Sequence, residues 1–158
     1  KCMTGKDEDM DWFRASASMP IASRPVEIGG NAYLDGGCAD SVPLAFFESI
    51  GYDRNVVVLT QPKGYRKKKS RKTKLLVRLL SKYPAIAEDL KDRCETYNRL
   101  MTEIEKKAAA GEILVIYPPE ALNIGSVEKN PDELRRVYRI GEETAAENMA
   151  AIKEFLQI

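Results

Sequence analysis

The sequence contains no histidine at all. That absence excludes Ser-His-Asp and Cys-His catalysis within the chain, together with every His-ligated metal site. Its three cysteines, Cys2, Cys38 and Cys94, are odd in number, far apart and free of any Cys-x-x-Cys pair. They make neither a disulfide framework nor a cysteine zinc site, and they fit a reducing compartment. No apolar run approaches the roughly 18–20 residues that cross a bilayer; the longest are Val56–Leu59 and Ile113–Tyr117. The polar, charged start does not read as a signal peptide, and none is expected. Neither sign of charge dominates: Lys+Arg total 25 against 24 Asp+Glu. A net charge of +1 excludes a globally basic nucleic-acid binder and leaves only a local patch for that part. Finally, none of the eight serines (Ser16, Ser18, Ser23, Ser41, Ser49, Ser70, Ser81 and Ser126) has glycine at both −2 and +2. Any catalysis must draw on carboxylates, hydroxyls, lysines or thiols.

What is present describes a soluble chain with enough apolar residues, 44%, to build a core without staples. Strand and helix signals alternate, which points to α/β layering. A short helix is expected over residues 7–18 around Trp12 and Phe13, whose rings are read as packing groups. Pro20 and Pro25 impose irregular chain, and Ala32–Leu34 reads as a strand running into Asp35-Gly36-Gly37. Ser41 is the expected N-cap of a helix that holds Pro43 in its first turn and stops at Gly51. Val56-Val57-Val58-Leu59 is apolar throughout, as in a strand buried on both faces, and pairs in expectation with Ile113–Ile116 in a parallel sheet.

Between them, helices are expected from Lys74 to Leu80 and from Pro84 to Ala110. The second has a stripe of Ile86, Leu90, Tyr97, Leu100, Met101 and Ile104, and Gly111 as its cap. Asp89–Arg93, Glu95–Arg99 and Glu103–Lys107 are acid-before-base pairs at i,i+4 on its wet side. Asn130-Pro131-Asp132-Glu133 combines an N-cap, a proline at the first helical position and early acids. The face of the helix it opens is Leu134, Val137, Tyr138, Ala145, Met149, Ile152 and Leu156.

The most informative stretch is Ser16-Ala-Ser-Met-Pro-Ile21, then Pro25-Val26, then Tyr33-Leu-Asp-Gly-Gly37 and Pro43. It resembles the patatin-like acyl hydrolases, in which an Ala/Ser-rich turn with proline precedes a strand ending in Asp-Gly-Gly or Asp-Gly-Ala. Thr4-Gly5 resembles a loop that the family carries before this region, and Leu59-Thr-Gln-Pro-Lys-Gly-Tyr-Arg66 and the helical tail are similar to a bacterial branch. The resemblance implies a Ser/Asp dyad in which Asp35 is the general base, with Gly36 and Gly37 shaping its turn. Such a dyad needs no histidine. A carboxylate at the C-terminal end of a strand also sits where open α/β sheets place ligands. Asp-Gly-Gly alone, however, is an ordinary turn signal.

In the family the nucleophile sits in a Gly-x-Ser-x-Gly elbow N-terminal to the Asp. Neither that elbow nor the glycine-rich oxyanion loop occurs here. The resemblance therefore implies the C-terminal portion of a longer enzyme, inert by itself, and the start at Lys1 instead of a methionine agrees with a fragment. The implied substrate of the parent is a phospholipid or other acyl ester, with no cofactor. Cys38, beside the turn, lacks an activating base and reads as a packing residue. Glu27, Asp40 and Glu48 lie near Asp35 in sequence, but their spacing matches no metal loop, so no metal is expected.

A second feature is the run Lys63, Arg66, Lys67, Lys68, Lys69, Arg71, Lys72 and Lys74, eight basic residues in twelve positions without an acid. Subtracting those eight from +1 leaves −7 for the rest, so charge is segregated. Such a cluster attracts anionic lipid headgroups or nucleic-acid phosphates, or is simply a solvated loop. An enzyme of acyl esters favours the lipid surface over nucleic acid.

The expected fold is thus α/β: the C-terminal part of a three-layer α/β/α patatin-like fold with parallel strands, plus a mainly helical C-terminal extension. Residues 1–60 are the catalytic-domain part carrying Asp35, 61–74 a basic loop and 75–158 the extension. The alternative is a non-catalytic basic module that binds an anionic membrane surface or nucleic acid through Lys63–Lys74. The cytoplasm, peripherally at a membrane, is the expected location. A truncated sheet is also expected to expose an edge strand and apolar faces that favour self-association.

Overall fold

Glycine and asparagine mark the ends of the elements, and they do so in the computed structural model, which describes residues 7–20, 22–125 and 127–158. Cys2, Thr4-Gly5, Ile21 and Ser126 lie outside the described residues. The chain divides into two compact units that interleave along the sequence: residues 1–42 with 67–99, and 43–66 with 100–158.

The first unit opens with helix α1 (Asp7–Ser16), followed by strands β1 (Val26–Ile28) and β2 (Asn31–Tyr33). Gly29 and Gly30 both have positive φ, +58° and +81°, which is the two-residue turn whose twist suits an antiparallel hairpin. Val26 pairs with Tyr33 and Ile28 with Asn31. The strand leading to Asp35 therefore belongs to a small antiparallel hairpin and not to the parallel sheet. Its partner β1 escaped the sequence reading because Pro25 masked three short residues. Trp12 of α1 lies 4.8 Å from the Tyr33 ring at a 60° tilt, which confirms its packing role. Helix α3 (Arg71–Leu79) starts three residues earlier than expected, so Arg71, Lys72 and Lys74 stand on a helix instead of in a loop. The N-terminal part of helix α4 (Pro84–Ala109) completes the unit, burying Ala87, Leu90 and Tyr97 alongside Ala15, Val26 and Cys38.

The second unit holds helix α2 (Leu44–Ser49), strand β3 (Asn55–Val58), the last turns of α4, strand β4 (Ile113–Ile116) and helix α5 (Pro131–Leu156). Strands β3 and β4 run parallel, as expected, and the register sets Asn55 opposite Ile113 and Val58 opposite Ile116. Val57, Met101, Ile104, Ile113 and Ile116 are its buried residues, with Leu44 of α2. The apolar stripe of α4 thus serves both units. Gly111, at φ +74°, ends α4: its N–H donates to the Ala108 carbonyl, and the Glu112 N–H to that of Lys107.

Three expectations are corrected here. Val58 is 71% exposed, so β3 is not buried on both faces; the described sheet has two strands, and one flank of β3 lacks a covering layer. Ser41 does not cap α2, whose N-cap is Pro43 without a side-chain bond; the Ser41 hydroxyl instead donates to the Gly37 carbonyl at 3.0 Å. The inward face of α5 is rotated from the one expected. Of the expected face Val137, Ile152 and Leu156 are half-buried, together with Ile140, Thr144, Asn148 and Phe155, while Leu134, Tyr138, Ala145 and Met149 are exposed. Its apolar arc is wider than a two-stranded sheet can cover.

The start of α5 is as expected: Asn130 Oδ1 accepts the Asp132 N–H at 3.0 Å. At the other end Arg54 donates to the Phe155 carbonyl at 3.0 Å, a cation on the negative end of the helix dipole. Asn130→Ala should destabilise the second unit by about 1 kcal/mol, seen as a lower urea midpoint with unchanged slope. An unchanged midpoint would mean that the cap contributes nothing. No helix among the described residues is long and apolar enough to cross a membrane.

Candidate functional site around the Asp-Gly-Gly turn

Asp35 follows β2 by one residue and opens a 3₁₀ turn, Gly36–Cys38. Its backbone N–H donates to the Ser18 carbonyl at 2.9 Å, which ties the turn to the segment after α1. Its Oδ1 accepts the Gly37 N–H at 2.8 Å, the short-range bond that makes aspartate a turn and cap residue. Among the described residues no partner engages Oδ2, and the side chain is half-exposed. The carboxylate is therefore held by one oxygen and offers the other, the geometry a proton acceptor needs.

Gly36 and Gly37 do not use the left-handed region; the positive-φ glycines lie elsewhere. What Gly37 supplies is space: a Cβ there would stand 3.2 Å from Asp35 Oδ1. Its carbonyl is bonded twice, by the Ser41 hydroxyl and by Arg93 Nε of α4 at 3.2 Å. Arg93 escaped the sequence reading, which paired it with Asp89 on the same helix. A part-buried carbonyl 56 positions away outcompetes an exposed helical ion pair worth only about 0.3–0.5 kcal/mol, and no local spacing signals it. Likewise Lys107 turns to Glu48 at 2.7 Å and Glu95 to Lys69 at 2.5 Å.

Cys38 is 7% exposed, and burial pushes its thiol pKa up despite the opposing Arg93 charge. It is a packing residue, not a nucleophile. Asp40 Oδ1 accepts the Val42 N–H at 3.2 Å, so Asp40 is a turn residue. Glu48 is taken by Lys107 and Glu27 sits in β1. Among the described residues no cluster of His, Cys, Asp or Glu could hold a metal ion.

The basic run is only partly free. Arg66 makes a two-pronged ion pair with Glu105, at 3.0 and 2.6 Å, and holds the Glu105 pKa below the usual carboxylate range. Lys67 is clamped by its backbone to α4: its N–H donates to Asn98 Oδ1 at 2.7 Å, and its carbonyl accepts from Asn98 and from the Cys94 thiol. Its ammonium lies 3.8 Å over the Tyr97 ring. Lys63, Lys68, Lys69 and Lys74 are exposed; the side chains of Arg71 and Lys72 lie outside the described residues.

Burial, reinforced by the Arg93 cation, lowers the Lys67 pKa from its ordinary 10.5 to about 8, against smaller opposing influences of Cys94 and Cys38. The folded state then releases this proton earlier than the unfolded state. Between about pH 8 and 10.5 the unfolded chain binds more protons, so stability due to this group rises with pH. Below about pH 8 the full cost of the half-buried charge is present. Lys67→Met should therefore stabilise the chain at pH 7, with the gain shrinking toward pH 10.5. Urea midpoints at the two pH values measure it, and a gain independent of pH would refute the cause.

Two families match parts of the sequence. Residues 6–47 match the patatin-like phospholipase family, and residues 83–157 match a domain of unknown function (DUF6363). No curated protein matches the chain.

Proposed function

We propose that this chain, a partial patatin-like phospholipase region followed by the domain of unknown function, supplies the general base of an acyl hydrolase without its nucleophile. Asp35 is that base. The single observation that carries the proposal is its carboxylate: it follows a strand inside the matched region, anchored through Oδ1 on the Gly37 N–H, with Oδ2 unengaged among the described residues. A serine on a glycine-flanked elbow, contributed by polypeptide outside this sequence, attacks the ester carbonyl. Asp35 takes the hydroxyl proton as the bond forms, and backbone N–H groups beside the elbow hold the oxyanion. Collapse of the tetrahedral adduct breaks the ester C–O bond: Asp35 returns the proton to the departing alcohol and an acyl-enzyme remains; water, deprotonated by the regenerated carboxylate, then attacks the acyl carbon, and the acid leaves as the serine oxygen takes the proton back. The substrate class is a lipid acyl ester. The three-layer sheet implied by the resemblance gives a reason for the exposed Val58 flank: a missing layer would cover it.

Docking on an anionic surface is the weaker reading. Arg66 and Lys69 are neutralised by Glu105 and Glu95, and Lys67 is half-buried. The test is hydrolysis of a p-nitrophenyl ester by the purified 158-residue chain. Hydrolysis at the buffer rate is expected, because the elbow is absent. Turnover that disappears in Asp35→Asn would overturn the claim that the nucleophile lies outside.

A further inference from the structure

We propose that Arg93 is a positioning residue for Asp35, and that supplying it is one role of the domain of unknown function. The inference rests on Asp35 being the base. It adds a contribution from a region that carries none of the patatin-like match: Arg93 lies within residues 83–157 and Gly37 within residues 6–47.

The chain of contacts is short. Arg93 Nε, on α4, donates to the Gly37 carbonyl at 3.2 Å. The N–H of the same residue, Gly37, donates to Asp35 Oδ1 at 2.8 Å. The N–H and the carbonyl of Gly37 belong to successive peptide units hinged at its Cα, and glycine turns more freely there than any other residue, so anchoring the carbonyl on the guanidinium restrains the torsions that aim the donor at Asp35 Oδ1. The turn is tight here: a Cβ on Gly37 would stand 3.2 Å from Oδ1. Hydrogen bonds from charged donors are about twice as strong as neutral ones, which ranks Arg93 above the Ser41 hydroxyl on the same carbonyl. The guanidinium also acts on its surroundings in a second way, as the largest opposing influence on the raised Cys38 thiol, itself beside Asp35. Arg93 touches no reacting atom in this scheme; it acts through Gly37.

Misplacing a catalytic group by about 1 Å costs up to roughly a hundredfold in rate. In the enzyme that joins this chain to its elbow, Arg93→Met should lower kcat by about ten- to a hundredfold with KM little changed. Arg93→Lys, which keeps a charged donor, should recover part of the loss. An unchanged kcat in Arg93→Met, while Asp35→Asn abolishes turnover, overturns the positioning role alone. Full turnover in Asp35→Asn overturns the dyad beneath it. A measurement free of catalysis uses the 158-residue chain: amide exchange by NMR. Arg93→Met should accelerate exchange of the Gly37 N–H and leave the Leu59 N–H, bonded to the Ile116 carbonyl of β4 at 2.9 Å, protected as before. Equal acceleration everywhere, or none at Gly37, overturns the coupling.

Discussion

For the proposed enzyme, in which this chain is joined to a nucleophile elbow, Asp35→Asn should lower kcat by roughly 10²–10⁴-fold and leave the unfolding transition where it was. The size follows from the role. A neutral amide cannot take the serine proton, so the attacking group remains a weakly nucleophilic hydroxyl, while the oxyanion donors and the substrate contacts persist. The unchanged stability follows from the structure. Asp35 also opens the 3₁₀ turn through Oδ1 and the Gly37 N–H, and the Asn side-chain oxygen accepts the same bond. Asp35→Ala removes both functions, and should add about 1 kcal/mol of destabilisation to the catalytic loss. The pair of variants thus separates chemistry from turn formation. Assay of kcat alongside thermal unfolding of each variant is sufficient. A full kcat in Asp35→Asn removes the base from the mechanism, and a loss of kcat matched by loss of folding makes Asp35 a turn residue only.

The second large effect concerns the core. Ile104 has no exposed surface, the only such large side chain among the described residues. It lies on the last turns of α4, in the unit that also buries Val57, Met101, Ile113 and Ile116. Ile104→Ala removes three buried carbons and leaves a cavity that rigid neighbours fill only partly. The expected cost is about 2–5 kcal/mol, enough to consume much of the stability of a small unit. Ile104→Val should cost only about 0.5–1.5 kcal/mol, which distinguishes a cavity from a general intolerance of change. Chemical denaturation followed by circular dichroism reads both. A loss under about 1 kcal/mol in the alanine variant would mean that the site collapses around the gap.

Periodicity and capping carried much of the architecture before any tertiary contact was known. The helical stripe from Leu90 to Ile104, the Asn130-Pro131 start, the Gly111 stop and the parallel run of the Val56 and Ile113 strands are all local or strongly patterned signals. Less was legible where elements are short or where two partners compete. The hairpin strand β1 has three residues, too few for a period to emerge, although Gly29-Gly30 marked its turn. The face of α5 was misjudged because its apolar arc is broader than the surface that meets it.

The candidate site shows the same division. The position of Asp35 after a strand and before two glycines can be read directly from adjacent residues, as can the missing elbow. Which of its oxygens is held, and by what, required the turn to be folded. That Arg93 belongs to this turn, that Cys38 is sealed in the core, and that Arg66, Lys67 and Lys69 are absorbed by α4 instead of forming one open basic face are long-range facts. A sequence fixes what each residue can bond and which neighbours along the chain it can reach. It does not rank a distant carbonyl or carboxylate against a nearby one, because that choice depends on burial, and burial exists only once separate segments have packed.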